Sequence, residues 1–207
     1  MNIIDIYINP VYHIRSIIKV LLFLLVPTTY YFIFKEEKKD IKKIFIPRRK
    51  DFLKTLFLGI IMYIIIVGGY FLLRNYIDFS LIRKNLTFDA GVTPNNYIYV
   101  TIYIAFLNSL LEEFFFRGYS FISLKKQTNK NFAYIFSSLT FSIYHAGMTI
   151  GWFTPTIYIL MLTSLFFCGC ILNYLNEKFN NIYPSWLVHM FINFGINTVG
   201  LILFEII

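Results

Sequence analysis

Apolar positions in this chain fall in long unbroken blocks, not in the strict alternation of half-buried strands. Six blocks can be marked, at residues 17–34, 55–73, 97–124, 132–148, 152–175 and 184–207. Each is close to the ~20 residues that carry a helix across a bilayer. Backbone groups in lipid must be satisfied within the segment, so such blocks are helices. The pattern predicts an all-α fold: a polytopic membrane helix bundle of about six transmembrane helices, with a polar site in its interior. The first block has no small-residue cleavage site behind it and reads as an anchor, not a removable signal peptide. The third block is long and the fourth short, so residues 118–124 are expected to bend away as an interfacial piece. Two regions follow: an N-terminal two-span region at 1–96, and a core at 97–207.

Composition agrees with the pattern. Hydrophobic residues make up 57% of the 207 positions and charged residues 14%, and mean hydropathy is +0.64. Soluble domains carry roughly 25% charge, so this chain has about half of what a water-facing surface needs. The net charge of +8 could suggest a nucleic-acid partner, but eight of the 19 basic residues sit in residues 35–50, between two apolar blocks. A basic loop flanking spans is a topology signal, and no nucleic-acid partner is expected. The segments 35–51, 125–131 and 176–183 hold twelve Lys and Arg, against Arg15, Arg83 and Lys84 in the N-terminal arm and the loop 75–96. That bias places the basic loop 35–51 in the cytoplasm and both termini outside, in a multi-pass protein of the cell membrane. Cys168 and Cys170, two residues apart, point about 200° apart on a helix and suit neither a mutual disulfide nor a shared metal.

The informative residues are the ionisable ones inside the blocks. Each costs at least ~2.5 kcal/mol in the bilayer and needs a reason. Span three carries Glu112, Glu113 and Arg117; span four ends in His145; span six carries His189 and Asn193. Glu113 and Arg117 are i and i+4 and predict a structural ion pair. Glu112, rotated ~100° away, is expected to be the carboxylate left without a cation. Ser185, His189, Asn193 and Asn197 form one polar stripe, and Ser138, Ser142 and His145 a second. Asn197, Ser138 and Ser142 read as packing residues. At ~1.5 Å per residue from the cytoplasmic ends, Glu112 lies ~18 Å deep, His145 ~20 Å, Asn193 ~14 Å and His189 ~8 Å.

A Glu with a His can activate water, and a second His with an Asn amide can donate hydrogen bonds to a developing oxyanion. The same Glu and two His could instead hold a zinc-like divalent ion that carries the water. Either way the reaction is peptide-bond hydrolysis within the membrane. The chain has no Gly-x-Ser-x-Gly elbow and no His-Glu-x-x-His helix.

Glu-Glu-x-x-x-Arg at 112–117, Phe-x-x-x-His at 141–145 and His-x-x-x-Asn at 189–193 together resemble the three motifs of the CAAX prenyl protease and bacteriocin-processing (CPBP, formerly Abi) family, which includes the Ras-converting endopeptidases. The resemblance covers about residues 97–207. It implies that Glu112 and His145 activate water while His189 and Asn193 stabilise the oxyanion. Family members have been described both as metalloproteases and as glutamate-dependent proteases; the Asn favours the metal-free version. The expected partners are the lipid bilayer and a membrane-associated peptide or protein substrate. The bias toward Ile, Lys, Asn, Phe and Tyr fits an AT-rich bacterial genome, where trimming of a leader or signalling peptide, or bacteriocin immunity, is the expected role.

Two other classes compete with an intramembrane endopeptidase. One is a non-catalytic peptide-binding or bacteriocin-immunity membrane protein, which has no need of a buried Glu. The other is a transporter, which would show repeated halves or paired broken helices; neither is evident in the sequence.

Overall fold

The computed structural model describes residues 7, 12–34, 42–43, 45–46, 49–88 and 90–207. Most of the basic segment 35–51 lies outside those residues. Seven helices are described: α1 (Tyr12–Ile33), α2 (Arg49–Leu73), α3 (Ser80–Phe88), α4 (97–127), α5 (Lys130–Ala146), α6 (Pro155–Phe179) and α7 (Ile182–Leu203). No strand occurs among the described residues. The protein is a polytopic helical bundle.

Among the described residues, five helices are long and apolar enough to cross a membrane: Ile14–Ile33, Phe52–Leu73, Tyr97–Gln127, Pro155–Phe179 and Ile182–Leu203. The sixth expected span, α5, has 17 residues and is ~26 Å long, just short of a ~30 Å hydrocarbon core. It ends in a 3-10 turn at Gly147–Thr149. α1 and α2 begin earlier than the apolar blocks did, because a helix can continue through charged residues once it leaves lipid.

Local chemistry sets the turns. Asn129 caps α5 by accepting from the Phe132 N–H, and Asn181 caps α7 by accepting from the Tyr183 N–H, both at 2.9 Å. Asn180 closes α6 in the left-handed region with φ 46°, which Asn tolerates well. A two-residue Asn–Asn link thus ends one span and starts the next. Pro155 opens α6, where its missing N–H is harmless. α3 lies in the segment 75–96, read from sequence as a loop. Asp78 accepts from the Ser80 N–H at 2.9 Å near its start, and these hydrogen bonds hold the exposed Asp78 carboxyl below its ordinary value.

α4 crosses the bundle with two π-helical stretches, Tyr103–Asn108 and Glu113–Phe121, separated by the single α-turn Ser109–Glu112. Residues 118–124 do not form the separate interfacial piece that the sequence suggested; the helix runs on to Gln127.

α2 lies along α7, and α5 is sandwiched between α4 and α6. α2 turns Ile60, Ile64 and Leu72 outward, and α6 turns out Ile159, Leu160 and Phe167, as a lipid-facing shell requires. Close approach is achieved with small residues. At Gly200 an added Cβ would come 1.6 Å from the Tyr97 hydroxyl, which donates to the Asn197 carbonyl at 3.1 Å. At Gly169 a Cβ would meet Ser138 at 3.0 Å. The two ends of the bundle are laced separately. One end carries Gln127 to Tyr30 at 2.6 Å and Asn181 to the Ile46 carbonyl at 2.7 Å. The other carries Arg83 to Glu205 at 2.7 Å and Asn85 to the Gly151 carbonyl at 3.1 Å.

Candidate active site

Glu112 ends the α-turn between the two π-stretches, and Glu113 begins the second of them. Both are buried, at 2% and 0% exposure. Arg117, also at 0%, approaches Glu113 Oε1 with Nη1 at 3.2 Å, the i,i+4 pair expected from spacing. Its guanidinium lies 4.1 Å from the centre of the Phe141 ring, whose face supplies attraction that the low-dielectric interior strengthens.

The two histidines arrive from different helices and present the same atom. His145, in the last turn of α5, holds its ring by Nδ1–H donation to the Phe141 carbonyl at 2.8 Å. A carbonyl can only accept, so Nδ1 carries the proton and Nε2 turns to Glu112 Oε2 at 3.9 Å. His189, in the second turn of α7, places Nδ1 on Glu113 Oε1 at 2.8 Å and Nε2 at 3.6 Å from Glu112 Oε2. One imidazole therefore bridges the two carboxylates that helical spacing had separated. Phe141, first residue of the Phe-x-x-x-His pattern, packs its ring edge-on to both His145 at 4.7 Å and His189 at 5.9 Å. That ring, together with the Arg117 contact, keeps the imidazoles and guanidinium in fixed orientations.

The expectation that Glu112 lacks a cation is overturned. Lys19 of α1 reaches it, with Nζ 2.5 Å from Oε1 and both side chains almost fully buried. Lys19 also donates to the Asn108 side-chain oxygen, while Asn108 Nδ2 donates to the same Glu112 Oε1 at 3.0 Å. Helical spacing relates only residues of one helix, and this cation comes from 93 residues away. The available signal was Lys19 itself, a lone charge inside the first apolar segment.

His189, the shallowest of the set at ~8 Å by residue count, contacts both glutamates, and its helix starts at Ile182, two residues before the apolar block. Asn193 sits a turn beyond and donates from Nδ2 to the Ile104 carbonyl at 3.2 Å. α7 supplies donors to a strip of α4 carbonyls. Asn197 donates to the Thr101 carbonyl at 3.2 Å, and Trp186 Nε1 to the Phe106 carbonyl at 3.2 Å. Ser138 accepts from Asn173 Nδ2 at 3.1 Å and Ser142 donates to the Leu162 carbonyl at 2.6 Å, both joining α5 to α6. The second polar stripe thus divides, with its serines on the packing side and His145 on the carboxylate.

Three atoms able to accept or hold protons, Glu112 Oε2 and two imidazole Nε2, face one another beyond direct hydrogen-bond distance. That separation suits a bridging water. Among the described residues, no group of three or more His, Cys, Asp and Glu side chains has metal-holding geometry. Charge is balanced in the surroundings: Glu112 and Glu113 face Lys19 and Arg117.

Comparison with known proteins adds one match. The family model described as type II CAAX prenyl endopeptidase Rce1-like matches residues 94–195. No curated protein and no solved structure matches significantly.

Proposed function

The chain belongs, through residues 94–195, to the type II CAAX prenyl endopeptidase Rce1-like family of membrane proteases, and from that premise we propose an intramembrane endopeptidase that hydrolyses a peptide bond of a membrane-associated peptide or protein by Glu112- and His145-assisted attack of water. The observation that carries the reading is the convergence of Glu112 Oε2 with His145 Nε2 and His189 Nε2, at 3.9 and 3.6 Å, from three helices.

The partner of each Nδ1 separates the two histidines. His145 leans on a neutral carbonyl and keeps a lone pair on Nε2, which accepts a hydrogen bond from a water whose other hydrogen is directed at Glu112 Oε2. Loss of a proton to Glu112 accompanies attack of the water oxygen on the scissile carbonyl. His189 donates Nδ1–H to the Glu113 carboxylate, which fixes the ring. In the proposed step an imidazolium at this position donates Nε2–H to the oxyanion, with the second N–H of the Asn193 amide one helical turn away. Glu112 next returns its proton to the departing amine, the C–N bond breaks, and the carboxylate is regenerated.

A divalent ion would be held by Glu112 Oε2, His145 Nε2 and His189 Nε2, where it would polarise water as a Lewis acid. Lys19 on the same carboxylate opposes a second cation at that position, so the metal-free route is preferred. Orientation completes the proposal: the basic loop 35–51 is cytoplasmic and both termini are outside.

The test is cleavage of candidate membrane peptides by the full chain in lipid vesicles, with and without exhaustive chelation. Activity that survives chelation and disappears in Glu112→Gln supports the reading; activity lost on chelation and restored by zinc replaces it with the metal route. A wild-type protein that binds peptides tightly and cleaves none is the peptide-binding or immunity protein instead. Single cysteines introduced at residues 36 and 84 should be protected from and reactive with an impermeant external reagent, respectively; the reverse pattern inverts the orientation.

A further inference from the structure

We propose that Lys19 of α1 is a positioning residue for hydrolysis, holding Glu112 with one oxygen turned into the reaction space. The inference rests on the endopeptidase reading and adds to it a group from outside the family-matched segment 94–195. A carboxylate can rotate, and its two oxygens are equivalent until something distinguishes them. Here Oε1 receives two donors, Lys19 Nζ at 2.5 Å and Asn108 Nδ2 at 3.0 Å. Oε2 is the oxygen left facing both imidazole Nε2 atoms. Asn108 is itself held by donation from Lys19 to its oxygen, so the lysine orients Glu112 directly and through the amide.

The lysine is built into this place. Its ammonium lies 4.8 Å from the Tyr144 ring centre and 5.5 Å from that of Phe23. Phe23, Leu111, Phe116, Phe141 and Tyr144 form one buried apolar cluster around the ion pair. Tyr144 adjoins His145 in sequence, and its ring lies 4.8 Å from the imidazole. Lysine costs more to bury than almost any side chain, and a Met of similar length would fill the same apolar space. Packing alone therefore gives no reason for a charge. The charge acts on Glu112, as counter-ion and as hydrogen-bond donor to the oxygen that does not react. α1 is thus part of the hydrolytic unit as well as an anchor.

The experiment compares wild type, Lys19→Met, Lys19→Arg, Asn108→Leu and Glu112→Gln, each as the full chain in lipid vesicles with a peptide that wild type cleaves. Lys19→Met is expected to lower kcat at least 30-fold with KM within twofold of wild type. Lys19→Arg, which retains charge and donors, should turn over at least tenfold faster than Lys19→Met. Asn108→Leu should lose about tenfold in kcat, again at constant KM. A folded Lys19→Met with kcat within threefold of wild type overturns the inference, as does a change confined to KM. Should Lys19→Met not fold, Asn108→Leu decides, and wild-type kcat there overturns the proposal equally. Full activity of Glu112→Gln would instead remove the endopeptidase reading beneath it, so the two failures are told apart.

Discussion

Two carboxylate clusters in this molecule use similar parts in opposite surroundings. In the bundle interior Glu112 and Glu113 meet Lys19, Arg117 and two histidines, all nearly without solvent contact except His145, which is 18% exposed. At one end of the bundle Glu177 meets Lys125 at 2.6 Å, Lys130 at 2.8 Å and the Tyr134 hydroxyl at 2.7 Å, with the lysine side chains 39% and 60% exposed. The outer cluster joins the end of α4, the start of α5 and the end of α6, where water screens every charge. Its contribution is a clip. The inner cluster carries a desolvation cost that a clip could never justify, since apolar residues of similar volume usually serve stability as well or better. Buried charge that stability does not require marks the place where chemistry is expected.

The largest expected effect tests the inner cluster directly. Glu112→Gln should reduce turnover at least ~10²-fold, within the span attributed to a positioned acid–base group, while the protein still inserts and folds. A variant retaining more than a tenth of the wild-type rate would dismiss Glu112 as the base. Next in size, Glu113→Ala or Arg117→Ala leaves a buried charge unpaired and should cost ~3–5 kcal/mol in thermal or denaturant unfolding. Replacing both by apolar residues should recover part of that stability and none of the activity, because Glu113 also holds the His189 ring. A double variant less stable than either single would show that the two charges do not stabilise each other.

Asn193→Ala should lower turnover ~10²–10³-fold, about 2.7–4 kcal/mol, with little change in KM, as for loss of one oxyanion donor. A rise in KM at unchanged kcat would reassign Asn193 to packing through the Ile104 carbonyl. The smallest effect belongs to the outer cluster. Glu177→Gln should change stability by ~0–1 kcal/mol, weakening further in high salt, with no change in turnover. A loss of several kcal/mol there would erase the contrast between the clusters.

The residues differ in how far each could be read before folding. Glu113 and Arg117 sit four apart on one helix, and local spacing was enough to pair them. His145 and His189 were conspicuous because lipid makes any imidazole in an apolar block an exception to be explained. Lys19 is equally exceptional, but its partner lies 93 positions away and no periodicity connects them. Asn193 was legible as a polar residue on the right stripe, yet its bond to Ile104 reaches a carbonyl of the facing helix, which leaves no simple mark in the residue pattern. Helix α3 escaped notice because nine residues of mixed polarity make no apolar block.

Composition and the long apolar blocks alone determined that the chain is a helical membrane bundle, because a bilayer permits few ways to satisfy a backbone. The three short motifs singled out Glu112, His145, His189 and Asn193, since charged and polar groups in lipid are costly wherever the helices go. Only the tertiary structure decided which oxygen of Glu112 is held by Lys19 and Asn108 and which faces the two imidazoles. It alone decided that His189 spans both glutamates, and that Ser138 and Ser142 turn to α6. Those choices depend on the register and rotation of helices far apart in sequence, and at 2.5–4 Å even one residue of slippage would pair different atoms.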